Sequence, residues 1–212
     1  AFGPGATDAA LTVAASLQSR NPFVAPFDKR EEANKARRKF ADRLAGGAVG
    51  PSDHLAVLEA YREWNSLPAN GSEKWEFCQQ NFLSIRTLQG MAELKRQLLE
   101  ILSSAGFVAP GMKAKQVQYQ GRSYDGSDGV LLALSQGSRE QPEEAPPALL
   151  AALLCAALFP QVVTATAPQQ SKKQKQSGEG PTEKPKLMMR AADSGEPVRV
   201  RMHPSSVSAQ ET

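Results

Sequence analysis

Three polar side chains of different chemistry fall close together in the segment QNFLSIRTL: the amide of Asn81, the hydroxyl of Ser84 and the guanidinium of Arg86. Each can bond a phosphate oxygen or a ribose 2′-hydroxyl, and none reads a base in doing so. The same residues have plainer uses. Asn81 can cap a helix junction, and Arg86 can be ordinary surface charge. A second group, His203, Ser205 and Ser206, lies in MHPSSV just after the alternating run VRVRM. Period-2 spacing there puts Val198, Val200 and Met202 on one face and Arg199 and Arg201 on the other. Here too a plainer reading stays open, with Pro204-Ser205-Ser206 as a turn and His203 at a core edge.

Other chemistries find little support. Ser205 beside His203 lacks the third group that orients a catalytic base. His54, His203, Cys78 and Cys155 are too scattered for a metal signature. No G-x-x-x-x-G-K-[ST] loop is present to cradle nucleotide phosphates. The KLMMRA and VRVRM runs hold no aromatic platform for base stacking. The helix carrying Lys35, Arg37, Arg38 and Lys39 also carries Glu31, Glu32 and Asp42, so it reads as a solvated face. The KKQK tract could add counterion release to a nucleic-acid contact, or could simply keep a loop solvated. Trp64, Trp75 and the stripe from Ile85 to Leu102 read as core.

The elements that must position these residues are mostly helical. Asp8 is placed to cap a first helix over 8–19, with Leu11, Ala15 and Leu17 near one face. After the Pro- and Phe-containing RNPFVAPF, Asp28 and Glu31 have capping-box spacing ahead of an alanine-rich helix ended by GGAVGP. Ser52 caps the next, DHLAVLEAYREWN, and Ser72 the one after it. The sequon Asn70-Gly71-Ser72 reads as a turn and cap. Ile85, Leu88, Met91, Ala92, Lys95, Leu98, Leu99 and Leu102 then predict a long amphipathic helix ending near Gly106. Residues 107–147 are looser, with Gly, Ser and Pro clusters around GVLLAL.

Ala148 to Ala167 carries no charge and is followed by Lys172, Lys173 and Lys175, which raises the question of a membrane anchor. Pro160 argues against one, because it removes a backbone donor that lipid cannot replace. The β-branched QVVTATA beyond it favours a strand. A buried helix over 148–159 and a buried strand over 161–167 are expected instead. Residues 171–185 are a low-complexity excursion between strands.

Composition agrees with a globular chain, at 41% apolar and 22% charged residues. Net charge of +3 and a pI near 8.9 permit a nucleic-acid partner without demanding one. Two cysteines on apolar backgrounds favour a reducing compartment over a disulfide scaffold. No basic n-region with an apolar h-region opens the sequence, so a cytoplasmic or nuclear location is expected over a secreted one.

Taken in order, LTVAASLQSRNPFVAPFDKREEANKARRKFA, SDHLAVLEAYREW, FCQQNFLSIRTLQGMAELKRQLLEIL, LLCAALFPQVV and VRMHPSSV resemble the region C-terminal to the motor of DEAH/RHA-family ATP-dependent RNA helicases. The resemblance implies a mainly α fold: a helical ratchet-like bundle over 6–159 with a flexible loop at about 107–147, followed by an incomplete OB-fold-like β segment over 160–212. A low-complexity hairpin insertion would occupy about 168–186. It implies that Asn81, Ser84 and Arg86 face the RNA backbone, and that His203, Ser205 and Ser206 lie on a strand-and-loop surface of the kind OB-folds use for single strands. RNA and the helicase motor lobes are the implied partners, with no membrane. ATP and Mg²⁺ belong to the complete helicase. This chain, lacking the phosphate loop and a DEAH box, is expected to need no cofactor and to hydrolyse nothing. The alternative is a helical protein–protein scaffold of helicase descent, its ratchet face reused for a protein partner.

Overall fold

The computed structural model describes residues 3–47, 49–69, 72–136, 143–166, 185–191 and 194–210. Eight helices precede three strands among them: α1 Pro4–Gln18, α2 Arg30–Leu44, α3 Asp53–Ser66, α4 Glu73–Gln80, α5 Ile85–Ser104, α6 Ala114–Tyr124, α7 Val130–Ser135, α8 Pro147–Leu158, then β1 Val163–Thr166, β2 Lys186–Arg190 and β3 Pro197–Arg199. The chain divides into two compact units, Ala1–Leu150 and Ala151–Thr212. The division falls inside α8, ahead of the 159/160 boundary expected from sequence.

In the first unit α1 packs on α3, α5 and α7, α2 lies on α3, and α6 lies on α5. Leu55, Leu58, Tyr61, Phe40, Leu88, Met91 and Leu99 are fully buried. The signals for α3 and α5 hold. Ser52 Oγ accepts from the Leu55 N–H at 3.5 Å, and Ser84 Oγ caps α5. Gly106 ends α5 in the left-handed region at φ 80°.

Other expectations are corrected. Asp8 caps nothing: α1 starts four residues earlier, with Pro at its N-terminus, and Asp8 is buried along its flank. The acidic pair Asp28 and Glu31 makes no capping box. Asp28 lies in a 3-10 turn over Phe27–Lys29, and no side chain caps α2. Ser72 occupies the N-cap of α4 without a side-chain cap bond, while Asn70 and Gly71 lie outside the described residues. The solvated-face reading of α2 holds for Glu31, Glu32, Lys35, Lys39 and Asp42 but not for Arg37. Arg37 is buried against the Phe23 ring and paired with Asp53 at 2.7 Å, Arg38 pairs with Asp42 at 2.7 Å, and Arg43 pairs with Glu59 and Glu63. Trp64 is core, but Trp75 is 56% exposed.

The stretch expected to be loose contains α6 and α7. Its apolar residues Val117, Val130 and Ala133 complete a cluster with Leu11 and Leu99. Glycines that read as loop punctuation serve close packing instead. A Cβ on Gly121 would stand 2.4 Å from the Gly129 backbone nitrogen, so α6 and the start of α7 approach more closely than any other residue permits.

The charge-free segment breaks where Pro160 predicts, into α8 and β1. Neither is buried: Leu150 is the only buried residue of α8, and β1 is exposed throughout. Short alanine-rich turns bury too little area to demand full cover. Among the described residues no helix is long and apolar enough to cross a membrane. The second unit is a three-stranded antiparallel sheet in the order β1-β2-β3, with Val163 opposite Met189 and Met189 opposite Val198. The low-complexity excursion between β1 and β2 lies almost wholly outside the described residues.

Candidate nucleic-acid interface

The junction between α4 and α5 is built by a short extended segment that runs beside it. The Val24 N–H donates to the Phe82 carbonyl and the Ser84 N–H to the Pro22 carbonyl, both at 2.8 Å. Those bonds hold Phe82 at φ 54°, a left-handed conformation that costs a non-glycine residue about 1–2 kcal/mol and persists only where neighbours impose it. Phe23 and Phe77 pack on Phe40 beneath, and Leu83 donates back to the Cys78 carbonyl at 2.8 Å. The turn is therefore rigid, and it sets where α5 begins.

Asn81 spends its amide locally. Its backbone N–H and its Nδ2 both donate to the Phe77 carbonyl, at 3.1 and 2.9 Å, so it closes the C-terminus of α4. Ser84 is the N-cap of α5, accepting from the Thr87 N–H at 3.3 Å and from Thr87 Oγ1 at 3.0 Å. Arg86 is exposed and has no hydrogen bond or ion pair among the described residues. Glu93, further along α5, forms no ion pair with it among the described residues. The first-turn N–H groups of Ile85 and Arg86 lack intrahelical acceptors by helix geometry. They border an open cleft of about 610 Å³ lined by Lys29, Phe82, Ser84 and Arg86, with Asp28 as its one carboxylate. A positive helix end, a guanidinium and an ammonium around one cleft suit an anion.

His203, Ser205 and Ser206 are brought together as a turn. His203 Nδ1 accepts from the Ser205 N–H at 3.2 Å and lies 2.7 Å from Ser205 Oγ. The Ser206 N–H donates to the His203 carbonyl at 2.9 Å, and Ser206 Oγ accepts from the Ser208 N–H at 3.3 Å, opening the 3-10 turn Val207–Gln210. His203 is exposed, not a core-edge residue. Arg199 and Arg201 are exposed nearby in sequence, and Val200 donates to the Leu187 carbonyl at 3.0 Å. The KKQK tract lies outside the described residues. Among the described residues no cluster of His, Cys, Asp or Glu could hold a metal.

Sequence reasoning missed the most polar part of the core. Lys95, 1% exposed, sits between two carboxylates, 2.7 Å from Asp8 and 2.9 Å from Asp128. Asp128 also accepts from the Tyr61 hydroxyl at 2.7 Å and the Val130 N–H at 2.8 Å. The carboxylate with more donors is the more acidic: burial raises both, but Lys95, Tyr61 and Val130 hold Asp128 below its ordinary range, while burial prevails at Asp8 and pushes it up. Burial opposes charge on Lys95, and the two carboxylates overcome it, raising its pKa. The available signal was Lys95 itself, a cation on the apolar stripe of α5, which implies a buried counter-charge.

Residues 1–57 match the helicase associated domain (HA2), ratchet-like. DHX57 of Mus musculus is 45% identical over 163 residues, covering 76% of this chain and 11% of that protein. The DExH-box ATP-dependent RNA helicase DExH1 of Arabidopsis thaliana is 38% identical over 154 residues, 73% of this chain and 12% of its own length. The ATP-dependent RNA helicase dhx29 of Xenopus laevis is 28% identical over 159 residues, 74% of this chain and 10% of its own. The chain thus spans about a tenth of the length of these curated relatives.

Proposed function

This chain matches the C-terminal, ratchet-bearing region of a DEAH-type RNA helicase, and on that premise we propose that it is an RNA-binding accessory region forming part of the RNA channel wall. The motor lobes that bind ATP and Mg²⁺ belong to the complete helicase, and this region turns over no nucleotide itself. It works in a reducing compartment, cytoplasm or nucleus, where Cys78 and Cys155 stay as thiols.

The observation that carries the reading is Arg86. A guanidinium that is exposed and without a partner among the described residues stands at the N-terminus of a 20-residue helix, beside Lys29 and on a rigid turn. Such a group contacts a phosphate by charge and geometry without reading sequence. Asn81 and Ser84 shape the helix ends, and their remaining acceptor atoms can meet a 2′-hydroxyl. In the second unit, β1 to β3 would be the first strands of an OB-fold, with the His203–Ser206 turn at its single-strand surface. The test is single-stranded RNA binding by the chain across a salt titration, parent against Arg86→Ala. Binding that neither falls with salt nor depends on Arg86 removes the proposal.

A protein-binding scaffold is the second reading, favoured by one observation: Phe159, just beyond α8, is 76% exposed, and four of the five leucines of α8 are only partly covered. Binding of that kind would be nearly independent of salt.

A further inference from the structure

A second cleft, of about 530 Å³, opens along α5 away from its N-terminus, between α4, α6 and the loop 125–128. Three cations line it: Lys74, Arg96 and Arg122. Arg96 is 6% exposed, yet it has no hydrogen bond or ion pair among the described residues. Asp128 also lines the cleft, but its oxygens are taken by Lys95, Tyr61 and the Val130 N–H. Glu93 is the other carboxylate there and forms no ion pair with Arg96 among the described residues. A second donor is idle as well. Trp64 also lines the cleft, and its indole N–H is buried with no acceptor among the described residues. A largely buried arginine without an acceptor among the described residues favours an incoming anion, and the cleft is where one can enter.

The walls are held in place. Lys74 lies 4.7 Å over the Trp64 ring and donates to the Gly126 carbonyl at 2.9 Å. The Ser127 N–H donates to Asp125 at 2.9 Å, and the Asp128 N–H to Asn65 at 2.8 Å. The cleft is thus preorganised, and its size falls in the small-ligand range, well beyond one carboxylate side chain.

We infer that this cleft is a second phosphate site, which takes the phosphate of a nucleotide on Arg96, Arg122, Lys74 and the Trp64 N–H. As to source, an RNA strand is the occupant, and that part rests on the function proposed above. Ten residues separate Arg86 from Arg96, about 15 Å along the axis of α5 and roughly 80° around it. One strand following α5 meets both.

The experiment uses the whole chain carrying Trp75→Phe, which leaves Trp64 as the only tryptophan. Trp64 fluorescence is followed during titration with a short single-stranded oligouridylate and, separately, with uridine monophosphate. Both should give saturable changes. Arg122→Gln, an exposed substitution that spares the core, should raise the half-saturation point roughly tenfold, as for one lost charge-assisted contact. It should also make the slope of log affinity against log salt shallower by about 0.7 for the RNA. A silent Trp64 with both probes, or an Arg122→Gln chain that titrates like the parent, overturns the site. RNA binding that depends on Arg86 while Trp64 stays silent removes this cleft and leaves the proposed function standing. A monophosphate response without RNA binding does the reverse, upholding the phosphate site with a free nucleotide as its source.

Discussion

Lys95 Nζ lies 2.9 Å from Asp128 Oδ2, and both side chains are 1% exposed. This pair joins α5 to the loop before α7, and Asp8 on the other side of the same ammonium ties in α1. Removing one member of a buried pair leaves an uncompensated charge, at a cost of about 3–5 kcal/mol. Lys95→Met should therefore destabilise the first unit by at least that range, since two carboxylates lose their partner. Urea unfolding followed by circular dichroism reads the change, and a loss under about 1 kcal/mol would contradict the buried network.

The same cluster sets a pH dependence. Tyr61 has its pKa raised well above 10.0, first by burial and then by Asp128, and Lys95 is raised above 10.5. A group raised in the folded state contributes stability below its unfolded pKa and loses it as pH climbs through the folded value. Stability should fall above about pH 10, and Tyr61→Phe should flatten that fall. On the acid side Asp128, held low, loses its contribution below pH 3.8, whereas Asp8, raised, acts in the opposite sense above it. Unfolding midpoints measured across pH check both limbs.

Arg86→Ala should leave folding within about 0.5 kcal/mol of the parent, because the side chain is exposed and unpaired among the described residues. RNA affinity should drop to a similar extent for every sequence, and the salt slope should flatten by about 0.7. Glu93→Ala is the control. It removes no partner that Arg86 has among the described residues and should not weaken binding. A salt titration of both variants gives the answer.

The two thiols should react differently. Cys78 is buried, and burial pushes its pKa to about 11, so almost none is thiolate at pH 8. Cys155 is exposed. Iodoacetamide under native conditions should add one label, found at Cys155 by peptide mass analysis, and a second only after unfolding. Equal labelling of both would show the core around Cys78 to be open.

Gly121→Ala should cost about 1–3 kcal/mol, because the new methyl would stand 2.4 Å from the Gly129 backbone nitrogen and force α6 from α7. Gly90→Ala, in open space on α5, should be neutral or mildly stabilising. Thermal unfolding of the two variants side by side makes the comparison.

By itself the sequence determined what depends on near neighbours. Helical spacing and Ser84 marked α5, Ser52 marked α3, and Pro160 separated α8 from β1, because periodicity, capping and a missing N–H act within a few residues. The order of its motifs also carried the likeness to the helicase C-terminal region. Only the tertiary structure decided how polar residues are used. Asp8 looks like a cap until Lys95, remote in the chain, claims it. Asp128 and Arg96 look like surface charges until α6 and its loop fold over them. Gly121 and Gly129 look like loop residues until two backbones meet there, and of two segments apolar enough to be buried, α8 is only partly covered and β1 is exposed throughout. Burial and electrostatics are set by which distant segments share a space, and no local pattern encodes that.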